Sequence, residues 1–311
     1  MRLVGRAVTS ASRSSVEAVK VRAGVFPVGA RRNRSIVWSK FRRNRLASAS
    51  AVVIVLLVLL AAFAPWVAPR DPLYIEMVYK FAQPGQAGFL LGADEMGRDV
   101  LSRLLHAGRV SLSVGLMTAL IAVLVGSILG ALAGYYGGTL DAVIMRLVDV
   151  LLSMPTIFLL LALAAFLKPS VFTITLIIGL NSWMTVARMV RGQILSIKQQ
   201  EFIMAARAMG SSDRRLIFRE LLPNAMAPVL VAATLNVATA ILLESSLSYL
   251  GYGIQPPTAS WGNMLNNAQT YVLYAPWVAI YPGIMITLTV LSFNFAGDGL
   301  RDALDPRLSL A

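Results

Sequence analysis

VSLSVGLMTALIAVLVGSILGALAGYYGGTL, residues Val110 to Leu140, runs for 31 residues without a charged side chain. A helix rises about 1.5 Å per residue, so about 20 apolar residues cross the ~30 Å hydrocarbon layer of a bilayer. This stretch is long enough to do so, and the pattern recurs along the chain. Leu46–Ala64, Val150–Leu167, Pro169–Ala187, Leu221–Leu243 and Ser245–Gly297 also lack Asp, Glu, Lys and Arg. Only 14% of the 311 residues are charged, against about a quarter in a soluble domain. The fold class that follows is all-α, a polytopic membrane protein with six transmembrane helices. They are expected near Ala47–Val67, Ser111–Tyr135, Leu147–Leu167, Phe172–Val190, Ala227–Leu247 and Pro276–Ala296.

Six spans place both ends on one side, and the basic residues say which. The N-terminal arm, the turn at Arg146, the segment Arg188–Arg219 and the tail hold 22 Lys and Arg. The opposite loops hold six: Arg70, Lys80, Arg98, Arg103, Arg109 and Lys168. Positive residues stay inside, so both termini are expected in the cytoplasm. The net charge of +13 is then a sidedness signal and a contact with anionic membrane lipid, and no nucleic acid is implied. The apolar run after the basic start is too wide for a secretory h-region and reads as an uncleaved first span.

The expected order is a basic arm (1–45), a first span (46–68), an extracytoplasmic segment (69–109), a five-span core (110–297) and a tail (298–311). The core includes a cytoplasmic segment (201–222) and an extracytoplasmic loop (251–275). In the outer segment Val100, Leu101, Leu104 and Leu105 share one helical face, which predicts a short interfacial helix. Trp261, Tyr271 and Trp277 suit a belt at headgroup level.

The segment EFIMAARAMGSSDRRLIFRELLPN, Glu201 to Asn224, carries charge between greasy neighbours. Phe202, Ala205, Ala206 and Met209 follow i, i+3, i+4, i+7 and form one stripe whose centre is small. Gly210 permits a backbone turn that bulkier residues resist. Ser211 and Ser212 can cap a second helix with Asp213 at its positive end, stopping at Pro223. The bland reading is an ordinary solvated charged loop; the sharper one is a knuckle that docks a cytoplasmic protein.

AARAMG followed by LLP resembles the EAA loop of ABC importer permeases, with Ala205, Ala206, Gly210, Leu222 and Pro223 on the motif positions. Met204 stands where that loop has its name-giving Glu, and Glu220 stands at a usually apolar position. LGADEMGRDVLSRLLHAGRVSLSVG, MRLVDVLLSMPTIFLLLAL, SYLGYGIQPPTASWGNML and DGLRDALDPRL resemble the C-type permease of the dipeptide/oligopeptide/nickel importer family, over about Ile36 to Leu310. The resemblance implies a type I ABC importer transmembrane domain in the bacterial inner membrane. It implies a second homologous permease subunit, one or two ABC ATPase subunits holding ATP and Mg, and an extracytoplasmic substrate-binding protein. It also implies an ATPase-coupling set: Glu201, Phe202, Ala205, Ala206, Arg207, Met209, Gly210 and Asp213.

The chain itself is not expected to be an enzyme. It has no G-x-x-x-x-G-K-[ST] motif and no Gly-Lys pair, so it lacks the lysine of a Walker A loop. One histidine and no cysteine leave no nucleophile–base pair and no transition-metal site, so no catalytic residue, metal or cofactor is assigned to it. Candidate pathway residues are Asn181, Asn236, Glu244 and Ser245. Glu244 reads first as a structural carboxylate near the outer surface and second as a pathway group, and small polar residues in spans more often join helices. Asp149 is expected to pair with Arg146, one helical turn away. An ion-coupled secondary transporter is the alternative, but it calls for carboxylates at mid-membrane, where the spans hold almost none.

Overall fold

The computed structural model describes residues 34–266 and 268–304. Contacts divide the chain into two units, 1–39 and 40–311. Of the first, residues 34–39 are described and are helical; the basic-arm reading of residues 1–33 lies outside the described residues. The second unit carries the fold. Its described elements are helices joined by loops, with one isolated bridge between Ala93 and Asp99.

Helix α1 is Arg45–Ala62, started by Asn44, whose side chain accepts from the Ala47 N–H at 3.2 Å. Helix α2 is Val100–Tyr136. Asp99 caps it, accepting from the Ser102 N–H at 2.7 Å and from its hydroxyl at 2.6 Å. A carboxylate there satisfies free N–H groups at the positive helix end. The expected interfacial helix is not separate: it forms the first turns of α2, because no proline or turn sequence interrupts Val100 to Ser111. At 37 residues, α2 is about 55 Å long.

Helix α3 is Gly138–Ser153 and α4 is Thr156–Phe166, and the two meet at 91°. This corrects the expected single span Leu147–Leu167. Pro155 supplies no N–H, and the residue before a proline is pushed out of helical geometry. Met154 is accordingly extended, at φ −85° and ψ 136°. Among the described residues five helices are long and apolar enough to cross a membrane, and the α3–α4 pair makes a sixth crossing only if taken together.

Helix α5 is Val171–Ile197, capped by Ser170 through the Thr173 N–H at 3.0 Å. It lies along α2 on a seam of glycines four residues apart: Gly126, Gly130 and Gly134. A methyl group on Gly126 would sit 2.7 Å from the Trp183 carbonyl oxygen, and one on Gly134 2.9 Å from Ile194 Cβ. Only hydrogen at these positions lets the two backbones approach so closely.

After α5 come α6 (Glu201–Ala208), a turn at Asp213–Arg215, a wide π turn (Leu216–Leu221) and α7 (Leu222–Tyr249). The chain does not stop at Pro223 as expected. In the π turn the Leu222 N–H bonds the Ile217 carbonyl, five residues back. The helix is thereby widened just where a proline with no N–H must enter its first turn.

The loop after α7 holds α8 (Trp261–Asn266) and α9 (Ala268–Tyr271). Helix α10, Trp277–Leu304, continues seven residues past the expected boundary at 297; residues 305–311 of the tail lie outside the described residues. Helix α10 packs on α1 and α7, with Gly299 against Ala47 and Gly297 against Thr234. Leu57, Leu104, Ile241, Trp261 and Phe293 form the core at one end of α2. Tyr135, Ile194, Ile203, Leu216 and Leu221 form it at the other.

Candidate coupling segment and candidate pathway residues

Helix α6 ends in a defined stop. The Ser211 N–H bonds the Ala206 carbonyl at 3.1 Å, and the Gly210 N–H bonds that of Arg207 at 3.0 Å. This is the Schellman pattern, which needs a left-handed residue just past the helix. Gly210 occupies it at φ +80°. Ser212 opens the next turn with its backbone alone: its side chain makes no capping hydrogen bond, contrary to expectation.

The expected stripe is split. Ile203 is 1% exposed, and with Phe202 and Ala206 it packs against Ile194, Leu216 and Ile217. Ala205 and Met209 face away, together with Met204 and Ala208, and these four share one helical face. Met209 is 81% exposed. The spacing does not show which residue anchors the helix: Ile203, outside the expected docking stripe, takes the buried position. Met204 replaces the expected acid on the open face with an apolar side chain. Glu201, Arg207 and Gly210 are also exposed.

Asp213 is held by a residue that the sequence reading passed over. The Tyr135 hydroxyl, at the end of α2, donates to its Oδ1 at 2.5 Å. Lys198 Nζ donates to the Tyr135 carbonyl at 2.5 Å, and the Arg207 guanidinium lies 5.6 Å from the centre of the Tyr135 ring. The only sequence signal was an aromatic before Gly137 and Gly138, which reads equally as a headgroup anchor.

Two ion pairs fasten α3 to α5. Arg191 grips Asp141 through Nε at 2.5 Å and Nη2 at 2.6 Å, and Arg188 meets Asp149 at 2.6 Å. Asp149 therefore pairs across helices with Arg188, where an i,i+3 partner in Arg146 was expected. Packing of α5 on α3 brings the Arg188 guanidinium within reach of Asp149, and one charge-assisted N–H contact forms there.

The four pathway candidates are not gathered at one place. Asn181 lines an apolar cavity with Leu151, Leu159, Leu163 and Met184. Asn236 is half-buried on α7, and Ser245 is buried. Glu244 is 0% exposed and does not face a channel within this chain. It accepts from Ser248 at 2.7 Å and from Ser111 of α2 at 3.3 Å. Both serines also receive loop N–H groups: Ser111 from Trp261 and Ser248 from Ile254, each at 3.1 Å. Trp261 is inside the protein, 1% exposed, and its indole donates to the Leu104 carbonyl at 3.1 Å, so it is no member of a headgroup belt. Arg98 and Arg103 are likewise buried, converging on Asp94 at 2.7 and 3.3 Å.

Glu244 thus pins the loop to α2 and α7. Glu244→Gln keeps acceptors and donors in the cage and is expected to cost under about 1 kcal/mol, whereas Glu244→Leu strands two hydroxyls and costs about 2–4 kcal/mol. Melting of the purified protein in detergent separates the two; equal losses would assign the effect to the charge.

Residues 126–310 match the family described as binding-protein-dependent transport system inner membrane component. The chain belongs to that family of ABC importer permeases. Residues 34–84 of this permease match the N-terminal TM domain of oligopeptide transport permease C. The permease is 42% identical to the di/tripeptide transport system permease protein DppC of Pseudomonas aeruginosa (strain UCBPP-PA14), over 88% of this chain and 92% of that one. It is 41% identical to the glutathione transport system permease protein GsiD of Escherichia coli O157:H7, over 87% and 89%. In fold it is similar to a chain of the inward-facing MetNI methionine ABC transporter, with TM-score 0.55 and 21% identity, over 65% of this chain and 96% of that one. The fold is that of a type I ABC importer transmembrane domain, and the permease is a multi-pass inner membrane protein. ABC importer permeases are not enzymes; in this family they work with ATPase subunits and a substrate-binding protein.

Proposed function

We propose that this permease carries peptides of the dipeptide or oligopeptide class inward, forming half of a pathway beside a second homologous permease. Energy comes from one or two ABC ATPase subunits that hold ATP and Mg, and an extracytoplasmic binding protein delivers the cargo. Two relatives support the cargo class, since one is named for di- and tripeptides and the other for glutathione, itself a tripeptide. The excess of basic residues on the Arg188–Arg219 side supports cytoplasmic termini and a cytoplasmic α6.

The observation that carries the coupling role is the open face of α6. Met204, Ala205, Ala208 and Met209 leave an apolar patch uncovered at the end of the bundle, beside a fixed bend. A patch of small and flexible side chains suits insertion into a cleft on an ATPase, with Glu201 and Arg207 setting register. Phe202, Ala206, Gly210 and Asp213 shape the bend rather than touch the partner. Arg214, Arg215 and Arg219 suit inner-leaflet phosphates.

The chain has no cysteine, so Met209→Cys introduces a unique thiol. A short thiol-to-amine crosslinker in the assembled complex is expected to join it to an ATPase subunit. Phe172→Cys, at the far end of α5, is expected to give no such product. Absence of an ATPase adduct at Met209→Cys would overturn the docking reading.

A further inference from the structure

The geometry points to Tyr135 as a positioning residue that ties both limbs of the Gly210 bend to α2, so that α2 carries the bend's displacement to the opposite end of the protein. The inference rests on the docking reading above and extends it to a helix that does not flank the segment.

Tyr135 is gripped from three directions. Asp213, on the limb after the bend, accepts from its hydroxyl at 2.5 Å. Arg207, on the limb before it, lies over its ring, and Lys198 at the end of α5 donates to its carbonyl. Displacing both limbs of the bend without moving Tyr135 would break the Asp213 and Arg207 contacts together, while Lys198 holds Tyr135 to the end of α5.

Helix α2 is suited to transmit what it receives. It contains no proline over its 37 residues, and the glycine seam fuses it to α5. By contrast α7 contains Pro228 and follows a π turn, and α10 contains Pro282. Such features are where helices bend. The other end of α2 is fastened as firmly: Ser111 joins Glu244 and the Trp261 N–H, and the Leu104 carbonyl holds the Trp261 indole. A continuous proline-free helix, packed along α5, therefore runs from the bend to the loop that holds α8. A physical link of two packed elements is the kind of connection that can bias both ends.

The test uses the complete complex in liposomes, with peptide imported per ATP hydrolysed as readout. Tyr135→Phe keeps the ring under Arg207 and removes only the donor; Asp213→Asn keeps an acceptor and removes only the charge. The ratio is expected to fall about tenfold in Tyr135→Phe and in Asp213→Ala, the size of one hydrogen bond to a charged group. It is expected to persist in Asp213→Asn, and the double variant Tyr135→Phe/Asp213→Ala is expected to fall no further than either single one. The Met209→Cys adduct to the ATPase is expected to remain in the Tyr135→Phe background. An unchanged ratio in Tyr135→Phe, or additive losses in the double variant, with the adduct intact, would overturn the Tyr135 inference alone. Loss of the adduct in the parent would overturn the docking reading and this inference with it.

Discussion

Gly210→Pro is expected to lower ATP-driven import by at least about 100-fold while leaving the chain in the membrane. The residue sits at φ +80°, and proline is fixed near −65°, so the bend cannot form as it stands. The substitution also deletes the N–H that bonds the Arg207 carbonyl. Helix α6 then leaves its angle to Asp213, and its open face no longer aims where the structure holds it. Insertion depends on the apolar spans, none of which includes Gly210. Gly210→Asn is the matched control, because asparagine visits the left-handed region readily and is expected to keep most activity. Ala205→Arg tests the face itself. Ala205 is exposed, so the fold tolerates the change, while a long cation on an apolar docking patch is expected to cut import about tenfold or more. Uptake of labelled peptide and ATP hydrolysis are measured in the same vesicles. Normal binding-protein-stimulated transport in both Gly210→Pro and Ala205→Arg would refute the docking assignment.

Gly130→Leu is expected to remove native packing altogether, and Gly130→Ala to cost about 1–3 kcal/mol, the usual range for overpacking a tight contact. A side chain at Gly130 meets the backbone of Ala187 and, at 3.0 Å, Val190 Cβ. Backbone on the facing helix cannot rotate aside as a flexible side chain does. Gly192 on α5 has open space around its missing Cβ, so Gly192→Ala is expected to be neutral or to stabilise by about 0.5–1 kcal/mol through helix propensity. Thermal melting in detergent compares the pair. Equal behaviour of Gly130→Ala and Gly192→Ala would mean that the α2–α5 seam is looser than the structure has it.

The membrane architecture was legible because absence of charge over 20 or more residues is a property of the chain itself. The Gly210 bend was legible for a similar reason: a glycine after a short amphipathic run ends a helix by local geometry. Boundaries were less so. Pro155 and Pro223 carry the same local signal, yet one produces a 91° break and the other passes through a π turn into α7. The difference lies in packing: Leu216, Ile217 and Leu221 are buried against neighbouring helices, which holds that turn helical, whereas Met154 before Pro155 is exposed.

The site residues divide along the same line. Spacing placed Phe202, Ala205, Ala206 and Met209 on one face, but which face turns inward depends on the pocket that Ile203 finds. Asp149 had a plausible partner three residues away, and the structure gave it Arg188, 39 residues on. Tyr135 and Asp213 are 78 residues apart, and Glu244 and Ser111 are 133 apart. No periodicity joins residues at such separations. The sequence alone determined that this chain lives in a bilayer, how its apolar segments are laid out, and where its backbone must turn, since hydrophobicity and glycine stereochemistry act residue by residue. Tertiary structure decided which polar side chains meet inside it, because a buried hydroxyl or carboxylate takes whatever partner the packed helices bring within about 3 Å.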